Sequence, residues 1–178
     1  MNEPRPSRSA TSAQGDAATR DSADKPRRRK PPTSMVVATW AVRACFAFVF
    51  VVNVQCALGF ALTPEAYLGA YELAGVPGRV AAQGIGVAFL MWNCTYPLVI
   101  WKPQRHTTLA GVVLAQQVVG LIGESAIRAT LPAGHDLLAS SIDLFIAFDA
   151  AGLLLMGVSL AVFLFTRNLC SKRREIDS

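Results

Sequence analysis

The chain has 178 residues, 52% of them hydrophobic, with 17 Lys and Arg against 12 Asp and Glu, for a net charge of +5. Its mean hydropathy of +0.37 is too high for an ordinary soluble domain of this length. The basic residues sit in short runs beside apolar stretches with no nucleic-acid recognition module, so the charge points to membrane topology and no nucleic-acid partner is expected.

Residues 1–34 carry Pro, Ser, Ala, Asp and Arg and almost no large apolar side chains, so they are expected to form a disordered cytoplasmic tail. The tail ends in Lys25, Arg27, Arg28, Arg29 and Lys30. Such a cluster fixes the side on which the tail stays, and at about 1 kcal/mol per charge it is also a candidate site for anionic lipid headgroups. No secretory pattern precedes the first long apolar run, so the first membrane helix is expected to remain in the mature chain.

Residues 35–169 read as an all-α, four-helix transmembrane bundle, with helices over about 35–62, 80–101, 108–127 and 137–165. Each is long enough for a hydrocarbon core of about 30 Å, which some 20 apolar residues cross. Thr63-Pro64-Glu65 reads as a helix start and Gly75 with Pro77 as a stop. A short surface helix from Pro64 to Ala74 is therefore predicted, with Tyr67 and Tyr71 on one face as interfacial anchors. Pro97 predicts a kink in the second membrane helix. Arg43 lies about two turns inside the first, close enough to its end to snorkel. Residues 170–178 form a basic cytoplasmic end.

Short connections make neighbouring helices antiparallel. Eleven basic residues then fall on one side: the five of the tail, Lys102, Arg105, Arg167, Lys172, Arg173 and Arg174. Only Arg79 and Arg128 fall on the other. Both termini are accordingly expected in the cytoplasm, with the plasma (inner) membrane as the default location. In helix count and topology the chain resembles small bacterial membrane proteins such as the DoxX-like group. No motif accompanies that likeness, and no function follows from it.

Ionisable and amide side chains are expensive in hydrocarbon, so each needs a partner, water or a role. Glu124 and Arg128 are an i, i+4 pair, which predicts an ion pair near the outer end of the third helix. Asp149 lies amid Phe145, Ile146, Phe148 and Leu153 with no sequence neighbour to pair with. Asp136 reads as an N-cap of the fourth helix. Gln83 and Asn93 are candidates for contacts between helices. Once the alternating directions are applied, Asn53, Gln83, Gln117, Glu124, Asp143 and Asp149 all fall in the outer half. A polar pocket open to the outside is expected from them.

The four cysteines form no CxxC pair and read as packing residues, so neither a disulfide framework nor a metal site is expected. His106 and His135 lie in loops on opposite sides, which rules out a haem held between them. With no HExxH, GxSxG or P-loop, no cofactor is expected and a conventional enzyme is unsupported. Three functions stay open: binding or transport linked to a small molecule or protons, a structural or accessory subunit of a membrane complex, and a lipid-modifying enzyme using Glu124 and Asp149. Besides the bilayer, a homo-oligomer or a membrane protein partner is expected in either of the first two cases.

Overall fold

A computed structural model of the protein describes residues 32–176. The expected tail and its Lys25–Lys30 cluster lie outside the described residues. The described chain is helical, in the order α1 (Thr33–Leu62), α2 (Glu65–Leu68), α3 (Gly75–Asn93), α4 (Tyr96–Trp101), α5 (Thr107–Thr130) and α6 (Asp136–Ile176), with no strand. Four stretches are long and apolar enough to cross a membrane: α1, α3 with α4, α5, and α6 as far as Arg173. The fold is the all-α bundle that the apolar runs predict.

α1 is apolar on every side, as a helix bounded by lipid on one face and protein on the other must be. Its buried stripe, Ala38, Val42, Phe46, Val49, Ala57 and Phe60, follows helical spacing, while Val37, Trp40, Phe48, Val51 and Leu58 stay exposed on the outside. α1 is the hub, packing on α3, α4 and α6; α6 packs in turn on α5. At the crossing with α3 a Cβ on Gly86 would stand 2.7 Å from the Ala57 carbonyl oxygen and 2.6 Å from the Ala61 nitrogen. Only glycine allows that backbone-to-backbone approach.

The second span is broken, not merely kinked. Pro97 has no N–H for the Asn93 carbonyl, and α3 ends at Asn93 while α4 restarts at Tyr96. Nearby side chains turn back onto carbonyls of that turn: Asn93 Nδ2 onto Phe89 O at 2.8 Å, Thr95 Oγ1 onto Trp92 O at 3.2 Å and Cys94 Sγ onto Leu90 O at 3.4 Å.

Several boundaries differ from expectation. α3 begins at Gly75 and not near Val80, so Pro77 opens a helix instead of stopping one; in a first turn its missing N–H costs nothing. Asp136 is the first residue of α6, and the Ala139 N–H donates to the His135 carbonyl at 2.8 Å, so the capping position falls on His135. α6 also continues eleven residues past its predicted end, because the basic residues that close the apolar run still favour helix near a C-terminus. Thr63 does not cap α2; its hydroxyl donates to Gly59 O at 3.0 Å. Tyr67 and Tyr71 turn inward onto Phe60, at ring-centroid distances of 4.3 and 5.4 Å. Arg43 reaches towards its own end of the bundle, as a snorkelling side chain does. Its Nη2 donates to the Trp101 carbonyl at 2.6 Å, satisfying an orphan acceptor at the end of α4.

The half of the bundle near the chain termini is filled by Val42, Phe46, Val49, Val99, Val113, Met156, Leu160 and Phe163, all buried. At the opposite end polar pairs tie the connections together. Arg79 bridges to Glu65 at 2.5 Å, His135 pairs with Glu72, and the Ser141 hydroxyl donates to Ala70 O at 2.9 Å.

Candidate functional site

Between the apolar plug and those tied loops lies a polar cavity of about 50 Å³, lined by α1, α3, α4, α5 and α6. The break at Pro97 builds one wall, since Trp92, Asn93 and Tyr96 flank it and all face the cavity. α5 adds Gln116, Gln117, Gly120 and Glu124, one and two helical turns apart. α6 adds Asp149 and Phe145, and α1 adds Asn53.

The hydrogen bonding runs across the bundle. Gln117 is 7% exposed, and its Nε2 donates to Asp149 Oδ1 at 2.7 Å. The Tyr96 hydroxyl donates to Gln117 Oε1 at 3.5 Å, so one amide links three helices. Gly120 leaves room for the second carboxyl oxygen of Asp149, which lies 2.7 Å from where a Cβ would stand.

Other groups are left without partners. Among the described residues, four buried side-chain polar atoms make no hydrogen bond: Arg43 Nε, Asn93 Oδ1, Gln116 Oε1 and Glu124 Oε2. The last three belong to residues that line this cavity. Asn93 is 95% buried, and its amide is oriented by the bond from Nδ2 to Phe89 O, so the free atom is an acceptor. Leaving a buried acceptor unmatched costs about 1–3 kcal/mol. The described cations do not offset this. Arg128 pairs with Asp143, Arg79 with Glu65, and Arg43 reaches Trp101 O at the other end of the bundle; no Lys or Arg lines the cavity.

A second, larger cavity of about 320 Å³ adjoins the first on the side of the tied loops. Glu124, Phe89 and Phe145 belong to both walls, and Phe60, Tyr71, Ile85, Ile127, Leu138 and Ile142 complete the apolar lining. Burial raises the Tyr71 hydroxyl above its ordinary pKa, with Cys56, Glu124 and Tyr67 adding to the effect, so it remains a donor at neutral pH.

Of the six residues expected at a pocket, Asn53, Gln117, Glu124 and Asp149 share the polar cavity, whereas Gln83 and Asp143 do not. Gln83 reaches across to α1 and donates from Nε2 to Ala61 O at 3.3 Å. Asp143 accepts from Arg128 Nε at 2.8 Å, so the expected Glu124–Arg128 ion pair does not form. The reason is geometric: α6 brings a carboxylate to the Arg128 side of α5, while Glu124 points into the cavity. Tyr96, Trp92 and Gln116 are lining residues that the sequence reading missed. The signal for Tyr96 and Trp92 was Pro97, since a helix break turns its flanking side chains towards the gap. No group of three or more His, Cys, Asp or Glu able to hold a metal is present among the described residues. No protein-family model, curated protein or solved structure matches the chain. Its function has to be read from the chemistry of the cavity itself.

Proposed function

We propose that the chain is a multi-pass protein of the plasma (inner) membrane, with both ends cytoplasmic, whose outward-side cavity binds protons or a small molecule at Glu124 and Asp149. One observation carries this reading: two carboxyl groups, one with an unpartnered buried oxygen, share a cavity with two residues whose buried amide oxygens are unpartnered and with no cation on its walls. Such a site is incomplete until a proton, a donor or a positive charge enters it. The apolar plug of Phe46, Val49, Met156 and Phe163 closes the terminal side, so exchange occurs through the other half of the bundle. Gln117 and Tyr96 hold Asp149 in place, leaving Glu124 as the freer group.

Infrared difference spectra of the purified full chain in liposomes, recorded between acid and alkaline pH, test this. The parent should show a carboxyl C=O band of a water-poor site, reduced by Glu124→Gln or Asp149→Asn and absent in the double variant. A double variant that keeps the band would overturn the reading.

The accessory-subunit reading is favoured by a different feature. Gly111, Ala115, Val119, Gly123 and Ile127 form an exposed i, i+4 row on α5, a surface that suits close approach of another helix. Retention of one reproducible protein partner, lost on Gly123→Leu, would favour it.

A further inference from the structure

We propose that the ligand of this site is an amphipathic ammonium ion that enters sideways from the bilayer, its charged head between Glu124 and Asp149 and its apolar body in the adjoining chamber. The inference rests on the reading of the Glu124–Asp149 cavity given above and names the class of molecule that fits it.

The head is selected by the polar cavity. The fully buried unmatched atoms of its lining residues are all oxygens, at Asn93, Gln116 and Glu124, beside the Asp149 carboxyl. The Gln117 Nε2 and Tyr96 Oη donors are already used within the protein. An ammonium group is all donors with no acceptor, the complement of such a lining. A carboxylate or phosphate would instead meet two acids and no cation. Trp92, Phe89 and Phe145 stand around the acids with their rings in edge-to-face pairs, Phe89 being 6.4 Å from Trp92 and 6.2 Å from Phe145. Aromatic rings beside a cation site favour organic cations over hydrated metal ions.

The body is selected by the second chamber, whose volume of about 320 Å³ lies at the lower end of small-molecule sites and whose walls are Phe60, Ile85, Phe89, Ile127, Ile142 and Phe145. Glu124 stands at the junction, so one molecule can occupy both compartments at once. The route follows from the helix packing. α3 packs closely on α1, and α5 on α6 and α4; the backbones of α3 and α5 stay further apart, and side chains such as Trp92, 4.0 Å from the Gly120 Cβ position, reach across between them. Ile85 and Phe89 on one side of the resulting gap face Glu124 and Ile127 on the other. The gap lies between two membrane-spanning helices, where a hydrophobic cation is already concentrated by the bilayer.

Three probes with one apolar cage separate head from body: 1-adamantylammonium, 1-adamantanol and 1-adamantanecarboxylate. Each is titrated calorimetrically into the full-length protein in lipid nanodiscs, with empty nanodiscs subtracted. The ammonium should bind saturably and at least about tenfold more tightly than the alcohol, with no saturable binding of the carboxylate. Glu124→Gln and Asp149→Asn should each weaken it by on the order of tenfold, as expected for loss of a charge partner. Ile142→Trp, which fills the chamber and leaves both acids in place, should weaken it while the carboxyl infrared band persists. Equal affinity for the ammonium and the alcohol would overturn the inference. Absence of saturable ammonium binding with the infrared band intact would overturn it too, yet leave the proton-binding reading standing. Loss of both signals would remove both. Native mass spectrometry showing a lipid or a second copy that the ammonium does not displace would also refute it.

Discussion

Replacing Gly120 by Ala adds one methyl group, and its effect can be worked out from the neighbours. The new Cβ would stand 2.7 Å from Asp149 Oδ2, well inside contact distance. The carboxyl cannot simply swing away, because Oδ1 holds Gln117 Nε2 at 2.7 Å. Either the carboxyl leaves its amide, at about 1.5–3 kcal/mol for a hydrogen bond to a charged group, or the helices shift, at about 1–3 kcal/mol for overpacking. Alanine's better helix propensity returns roughly 1 kcal/mol. The net loss is thus up to about 2 kcal/mol, and at roughly 2–4 °C per kcal/mol for a chain of this size the melting temperature should fall by up to about 8 °C. Gly123→Ala is the control, since nothing lies within 4 Å of its Cβ position. That variant should match or exceed the parent. Thermal melts in mild detergent followed by tryptophan fluorescence measure both. Asp149→Ser in the Gly120→Ala background shortens the clashing side chain and should recover part of the loss. A Gly120→Ala protein that melts at or above the parent would refute the packing of Asp149 against Gly120.

Two further predictions concern charge and topology. Double-mutant cycles among Arg128→Gln, Asp143→Asn and Glu124→Gln should show Arg128 coupled to Asp143 and not to Glu124. Because side chains 40% and 55% exposed form that pair, the coupling should stay below about 1 kcal/mol in a melting assay; a larger Arg128–Glu124 term would restore the neighbour pairing. In a cysteine-free background, impermeant thiol reagents applied to intact cells should label single cysteines at Gly69 and Ala133, both exposed in the tied loops, and spare one at Gln104. The opposite pattern would invert the proposed orientation.

The spans were legible because an apolar run long enough to cross hydrocarbon has few alternatives, and Pro97 announced the break between Asn93 and Tyr96 without revealing that the chain restarts as a separate helix. The depth of Asp149, Glu124 and Gln117 could be counted along each helix from its end. Rotation could not, since it depends on how α5 and α6 cross. That is why depth alone places Asp143, only six residues from Asp149, at the pocket, whereas its side chain meets Arg128. Gln83 was misplaced for a similar reason: Gly86, one turn on, lets α3 come so close to α1 that the amide spans the gap to the Ala61 carbonyl. The local spacing of Tyr67 and Tyr71 marks them as interfacial, but nothing local indicates Phe60 beneath them.

The central position of α1 bears on how the protein is made. A ribosome releases the chain from the N-terminus, so this helix, the most apolar of the four with a hydropathy of 2.2, reaches the bilayer before the elements that pack on it. The next two spans, at 1.4 and 1.5, are the least apolar and carry most of the amides. They therefore arrive beside a segment already inserted, and the Gly86 crossing offers the second span an immediate docking surface. α6 comes last. Until it does, Gln117 and Glu124 have no Asp149 beside them, so the half-built protein exposes its polar groups to lipid or to the insertion machinery. The cavity is completed only once α6 has been inserted, which makes truncated chains ending before α6 the natural targets of membrane quality control.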